Sequence, residues 1–89
     1  MKFTFLCDWA NPEIATRDTK FVVVVQAESH RQAVIKAASA ALARYPDIAE
    51  FESPRTFWEG EFGAKRVAEF RGDVSGSLID REDYDHITA

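Results

Sequence analysis

The chain is short of most features that would assign it a chemistry. Cys7 is its one cysteine in 89 residues, which excludes a disulfide framework and a cysteine-based zinc site within one chain. Glycine and proline are scattered, four and three in all, with no low-complexity run and no internal repeat. No apolar run approaches the roughly 18 residues of a membrane span. The apolar stretch from Met1 alternates with polar residues and ends at Asp8, too soon for a signal peptide. The expected compartment is the cytoplasm, which a lone cysteine fits. Basic residues are also in deficit: 11 Lys and Arg against 15 Asp and Glu give a net charge of −4. A stand-alone nucleic-acid binder is normally basic, so no direct nucleic-acid contact is expected, and no membrane contact. Glycine-rich phosphate loops, nucleophile elbows and paired-histidine motifs are missing as well. The expectation is a protein that is not an enzyme and uses no cofactor or metal.

What is present points to a folded α+β chain. At 46% apolar and 12% aromatic residues the composition is richer than that of a disordered segment, and the length suits one domain. Residues 2–8 alternate, with Phe3, Phe5 and Cys7 on one side and Lys2, Thr4, Leu6 and Asp8 on the other, the period of a half-buried strand. Residues 9–19 read as a loop around Asn11-Pro12. Phe21-Val22-Val23-Val24-Val25 reads as a strand buried on both faces and paired antiparallel with the first. Ser29 and Gln32 form a Ser-x-x-Gln capping box. The alanine-rich helix it opens ends before Pro46, with Val34, Ile35, Ala38, Ala41, Leu42 and Tyr45 on its apolar stripe. Asp47–Pro54 is an acidic connector with a helical turn near Ile48–Phe51. Arg55–Phe62 and Lys65–Val74 read as a strand pair around a turn at Gly63-Ala64. Ser75-Gly76-Ser77 reads as a flexible break. The expected architecture is β-β-α-β-β, a small, mostly antiparallel sheet with one helix on one face and the other face partly open. Residues 1–79 form the domain, and 80–89 an acidic, mobile tail.

Charge is unevenly distributed. Up to Pro46, six Lys and Arg face four Asp and Glu; beyond it, five face eleven. The excess acids form two clusters: Asp47, Glu50, Glu52, Glu59 and Glu61, then Asp80, Glu82, Asp83 and Asp85. Such runs often serve only solubility. Here they interleave with Phe51, Phe57, Trp58, Phe62 and Tyr84, and aromatic anchors ringed by charge are what a protein-binding surface needs. Phe57 and Trp58 are neighbours in an expected strand, so one faces the core and the other away from it.

Catalytic readings find little support. Cys7 lies on the apolar face of the first strand, as a buried inert thiol. His30, in the first helical turn, would need an orienting carboxylate to act as a base, and none is near it in sequence. Residues 80–86 carry metal-capable side chains but lack the glycine and terminal glutamate of an EF-hand loop. Glu59 and Glu61 share an expected strand face as surface acids. Lys65, Arg66 and Arg71 are too few for a nucleic-acid footprint.

The passage Val23–Leu42, a strand running through Ala-x-Ser into a helix with alanine at every fourth position, resembles that of many small phage and mobile-element proteins. It is also similar to the same passage of HicB-type antitoxins, whose Gly-Tyr hairpin and Pro-Asp-Leu-Pro-Gly stretch have no counterpart here. In size, acidity, single-domain architecture and want of catalytic motifs, the chain resembles phage-encoded inhibitors of the anti-CRISPR type. That resemblance implies a protein that binds a nucleoprotein machine through an acidic surface. The expected function is therefore inhibition or regulation of a basic, nucleic-acid-handling protein partner. Its carboxylates would stand where phosphates sit. The candidate contacts are Glu50, Glu52, Trp58, Glu59, Glu61, Asp80, Glu82, Asp83, Tyr84 and Asp85. The alternative is a structural or homo-oligomeric interaction module with no inhibitory role, in which a symmetric dimer would cover the exposed sheet edges.

Overall fold

The computed structural model describes residues 1–13, 19–79 and 84–89. β1 (Lys2–Trp9) buries Phe3, Phe5, Cys7 and Trp9 on one face, as its alternation requires. β2 (Phe21–Gln26) pairs with it antiparallel, Phe5 opposite Val23 and Cys7 opposite Phe21. Phe21, Val23 and Val25 therefore continue that apolar face, while Val22 and Val24 are buried on the other. β3 (Ala64–Arg71) pairs antiparallel with the free side of β1, with a register shift that leaves Val67 unmatched between Leu6↔Ala68 and Cys7↔Arg66. β4 (Asp85–Thr88) runs parallel to β2, and the sheet order is β3-β1-β2-β4. The fold is α+β, with a mixed four-stranded sheet and one main helix.

That helix, α1 (His30–Arg44), starts where the capping residues place it. The Ser29 hydroxyl accepts the N–H of Gln32 at 3.1 Å, and the Gln32 side chain accepts the N–H of Glu28 at 2.8 Å. Ala33, Ala37, Ala38, Ala41 and Leu42 face the sheet, and the small alanines let the helix lie close to it. Ile35, expected on this stripe, is 52% exposed. It stands on the helix flank, where it lines a cavity together with Trp58 and Arg66. Trp9, Phe21, Tyr45 and Phe57 pack ring against ring at 5.2–6.3 Å between centroids, closing the core beyond the C-terminal end of α1.

Four further expectations are corrected. Residues 55–62 are not a strand but a chain of turns, in which the N–H of Phe57 reaches the Ser53 carbonyl and that of Gly60 reaches the Thr56 carbonyl. Among the described residues β3 therefore has β1 as its only strand neighbour. Ser75-Gly76-Ser77 is not a break but the start of α2 (Ser75–Ile79), which lies against β2 on the face opposite α1. The Asp73 carboxylate accepts the Ser75 N–H and hydroxyl at its start, and the face expected to stay open is covered over Thr4, Val22 and Val24. The segment read as a mobile tail contains β4, because Ile87 pairs with Val23 and buries itself on the α1 side. Asp80, Glu82 and Asp83 lie outside the described residues.

Candidate functional site

The acidic stretch 47–62 is a loop anchored at both ends in the core. Ile48, in a single turn of 3-10 helix (Ile48–Glu50), and Phe57 are buried. The loop returns on itself at Gly63, where a Cβ would fall 1.8 Å from the Phe57 carbonyl oxygen, so only glycine fits. Ala64 then donates its N–H to that same carbonyl at 3.0 Å.

The candidate acids are placed very differently from one another. Glu52 is used inside the loop, accepting the Thr56 hydroxyl at 2.8 Å and the Phe62 N–H at 3.0 Å. Asp85 accepts the Tyr45 hydroxyl at 2.7 Å and has an Arg44 guanidinium nitrogen at 3.8 Å; Tyr84 beside it is half-buried. Glu50, Glu59 and Glu61 are exposed. Trp58 is half-buried: its indole N–H donates to the Val34 carbonyl at 3.0 Å, its ring packs edge-on to Phe57, and the Arg66 guanidinium lies 4.9 Å from its centroid. The exposed aromatic of the loop is instead Phe51, 56% accessible and stacked on Phe62 at 4.3 Å between centroids. Its flanks, Glu50 and Glu52, made it legible as an aromatic within an acidic run, but its exposure depended on a turn that sequence did not position.

A second cluster joins α1 to β3. His30 Nε2 and Glu69 Oε1 are 2.7 Å apart, and Arg66 donates its Nε–H to the same oxygen at 3.1 Å. The His30 ring stands edge-on to Phe3 and Phe5. Partial burial pushes the Glu69 carboxyl up, but the His30 hydrogen bond and the Arg66 charge outweigh it and hold the group below its ordinary range. His30 thus has the orienting carboxylate that its sequence neighbours lack, from a residue 39 positions away. Two cavities flank the cluster. One of about 510 Å³ is lined by Val34, Ile35, Pro54, Arg55, Trp58, Glu59 and Arg66. One of about 250 Å³ is lined by Phe3, His30, Glu69, Phe70 and Arg71, which include no hydroxyl or thiol nucleophile. Cys7 is fully buried, and burial pushes its thiol far above the ordinary cysteine range. Among the described residues, no three His, Cys, Asp or Glu side chains gather to hold a metal ion, and no helix is long and apolar enough to cross a membrane.

The chain matches no family model, no curated protein and no solved structure.

Proposed function

We propose that the protein acts by binding rather than by catalysis, docking the 47–62 loop on a basic surface of a nucleic-acid-handling protein and so inhibiting or regulating it. The observation that carries this reading is the Phe51–Phe62 stack. An exposed ring with its partner ring behind it, neighboured along the chain by the exposed carboxylates of Glu50 and Glu61, combines an apolar anchor with a charged rim. The loop carries five acids against Arg55 alone, so it favours a basic partner and steers encounter with it. The anchor role passes from Trp58, which is engaged with α1 and Arg66, to Phe51. Glu52 holds the loop's shape, while Glu50, Glu59 and Glu61 supply the free charge.

The test compares tagged wild type with Glu50→Gln/Glu59→Gln/Glu61→Gln and with Phe51→Ala in pull-downs at low and high salt, with captured proteins identified by mass. The expected result is a nucleic-acid-binding protein retained by wild type at low salt, released at high salt, and lost from both variants. Equal capture by the neutralised variant, or no such protein on the wild type, overturns the reading.

A further inference from the structure

We infer that β3 is the seam of a two-fold dimer, in which two copies of the chain pair their free β3 edges antiparallel about an axis between Val67 and Ala68. This goes beyond the acidic-loop reading and does not rest on it.

β3 is an eight-residue strand at the edge of the sheet. The backbone groups of residues 65–71 bond to nothing but β1 among the described residues. Because Gly72 donates to the Lys2 carbonyl, the antiparallel alternation turns the N–H and C=O groups of Arg71 and Glu69 outward, to the free side. An open row of this kind is a template for another strand. Two of the large apolar side chains most exposed among the described residues also stand on it, Val67 at 59% and Phe70 at 38%.

Charge and facing select a second copy as the occupant. Opposed residues in a sheet share a face. Through their pairing with Trp9, Cys7, Phe5 and Phe3, the residues Ala64, Arg66, Glu69 and Arg71 belong to the α1 side, and Lys65 and Phe70 to the other. An axis between Val67 and Ala68 sets Arg66 opposite Glu69 of the second copy, twice, and Lys65 opposite its Phe70, each of these pairs on a common face, and the seam stops short of Ala64, whose N–H bonds the Phe57 carbonyl. The unmatched Val67 makes this possible. In an unbroken strand, positions 66 and 69, three apart, would point to opposite faces. Moving the axis to Ala68 sets Lys65 opposite Arg71 and Arg66 opposite Phe70 instead, residues of opposite faces, so facing excludes that register. In the proposed register the Lys65 stem covers the exposed Phe70 ring.

The test is a charge swap on the full chain, read as mass by light scattering over a wide concentration range up to about 200 µM. Wild type is expected to reach twice the 10.1 kDa of the chain. Arg66→Glu and Glu69→Arg each set like charges opposite one another and are expected to weaken the dimer roughly tenfold or more. Their equimolar mixture restores opposite charges at both contacts and is expected to recover the wild-type mass, which a purely intrachain role of the Arg66–Glu69 pair does not produce. A Val67→Cys variant, changed only at an exposed position, is expected to form a disulfide-linked dimer on mild oxidation. A wild type that stays monomeric, single variants that dimerise like wild type, a mixture no tighter than its components, or no Val67→Cys cross-link each overturns the proposal. A monomer would turn the edge over to an extended segment of another protein.

Discussion

On the α1 side of the sheet, Phe3, Phe5, Cys7, Trp9, Phe21, Val23 and Val25 are buried against a fifteen-residue helix and the rings behind it. On the α2 side, Thr4, Val22 and Val24 are buried beneath five helical residues, Leu6 and Ala68 are half-buried, and Phe70 is exposed. The first face is held by apolar area. The second is closed in good part by one polar side chain. The Thr4 hydroxyl donates to the Gly72 carbonyl at 2.7 Å and accepts the Val74 N–H at 3.1 Å, tying the segment that leads into α2 to the sheet. A broad apolar face spreads its stability over many contacts, whereas a face closed by a strap depends on a few directional bonds.

Substitutions on the two faces test that contrast. Phe5→Ala leaves a cavity in the fully buried face and is expected to cost about 3–5 kcal/mol, enough to approach the whole margin of a small domain. Denaturant titration with an unchanged slope would read it. Thr4→Val keeps the volume but strands the Gly72 carbonyl and the Val74 N–H, for roughly 1–3 kcal/mol. Its signature is local: amide exchange should quicken over residues 74–79 while α1 keeps its protection. If exchange rises equally in α1, the two faces do not behave as separate structures.

Two smaller effects are read by pH. Glu69, at the rim of the α1 side, has its carboxyl held low by His30 and Arg66 against the upward push of burial. Its contribution is therefore present above the unfolded carboxyl range and is lost as pH falls through the folded value. Glu69→Gln should flatten the acid limb of the stability curve, by less than the Thr4 effect because the group is partly exposed. Cys7 shifts the other way: burial keeps its thiol neutral in the native state, while the unfolded thiol ionises at about pH 8.5. Stability should decline slightly above that pH, and the native thiol should resist a thiol reagent at pH 8 until denaturant is added. A fast-reacting native Cys7 would show that the α1 face opens readily.

Legibility followed the range of the interactions. β1, β2 and the Ser29 cap were readable because period two, an unbroken Val run and a Ser-x-x-Gln box are local patterns whose partners are nearby in sequence. Residues 55–62 were misread because Thr56, Phe57 and Trp58, types favoured in strands, serve equally in a loop. There the Glu52 carboxylate reaches across ten residues to the Phe62 N–H, and that bond leaves no periodic trace. β4 was hidden in an acidic segment because only Ile87 carries its burial, and parallel pairing with β2 comes from a crossover rather than from a hairpin. At the site, the acidity of 47–62 was plain, but which acids stand free was not. Glu52 and Asp85 are engaged by Thr56, Phe62 and Tyr45, while Glu50, Glu59 and Glu61 face water.

By itself the amino-acid sequence determined the class of fold, the first two strands, the start and end of the main helix, an inert buried thiol and an acidic second half. Each follows from side-chain size, charge and short-range periodicity. Tertiary structure alone decided that Thr4 straps α2 to the back of the sheet, that Phe51 rather than Trp58 is the exposed ring of the acidic loop, that His30 meets Glu69, and that β3 lies at the edge of the sheet. Those outcomes depend on directional bonds and contacts between residues far apart in the chain, whose free energy appears only once the core has brought them together.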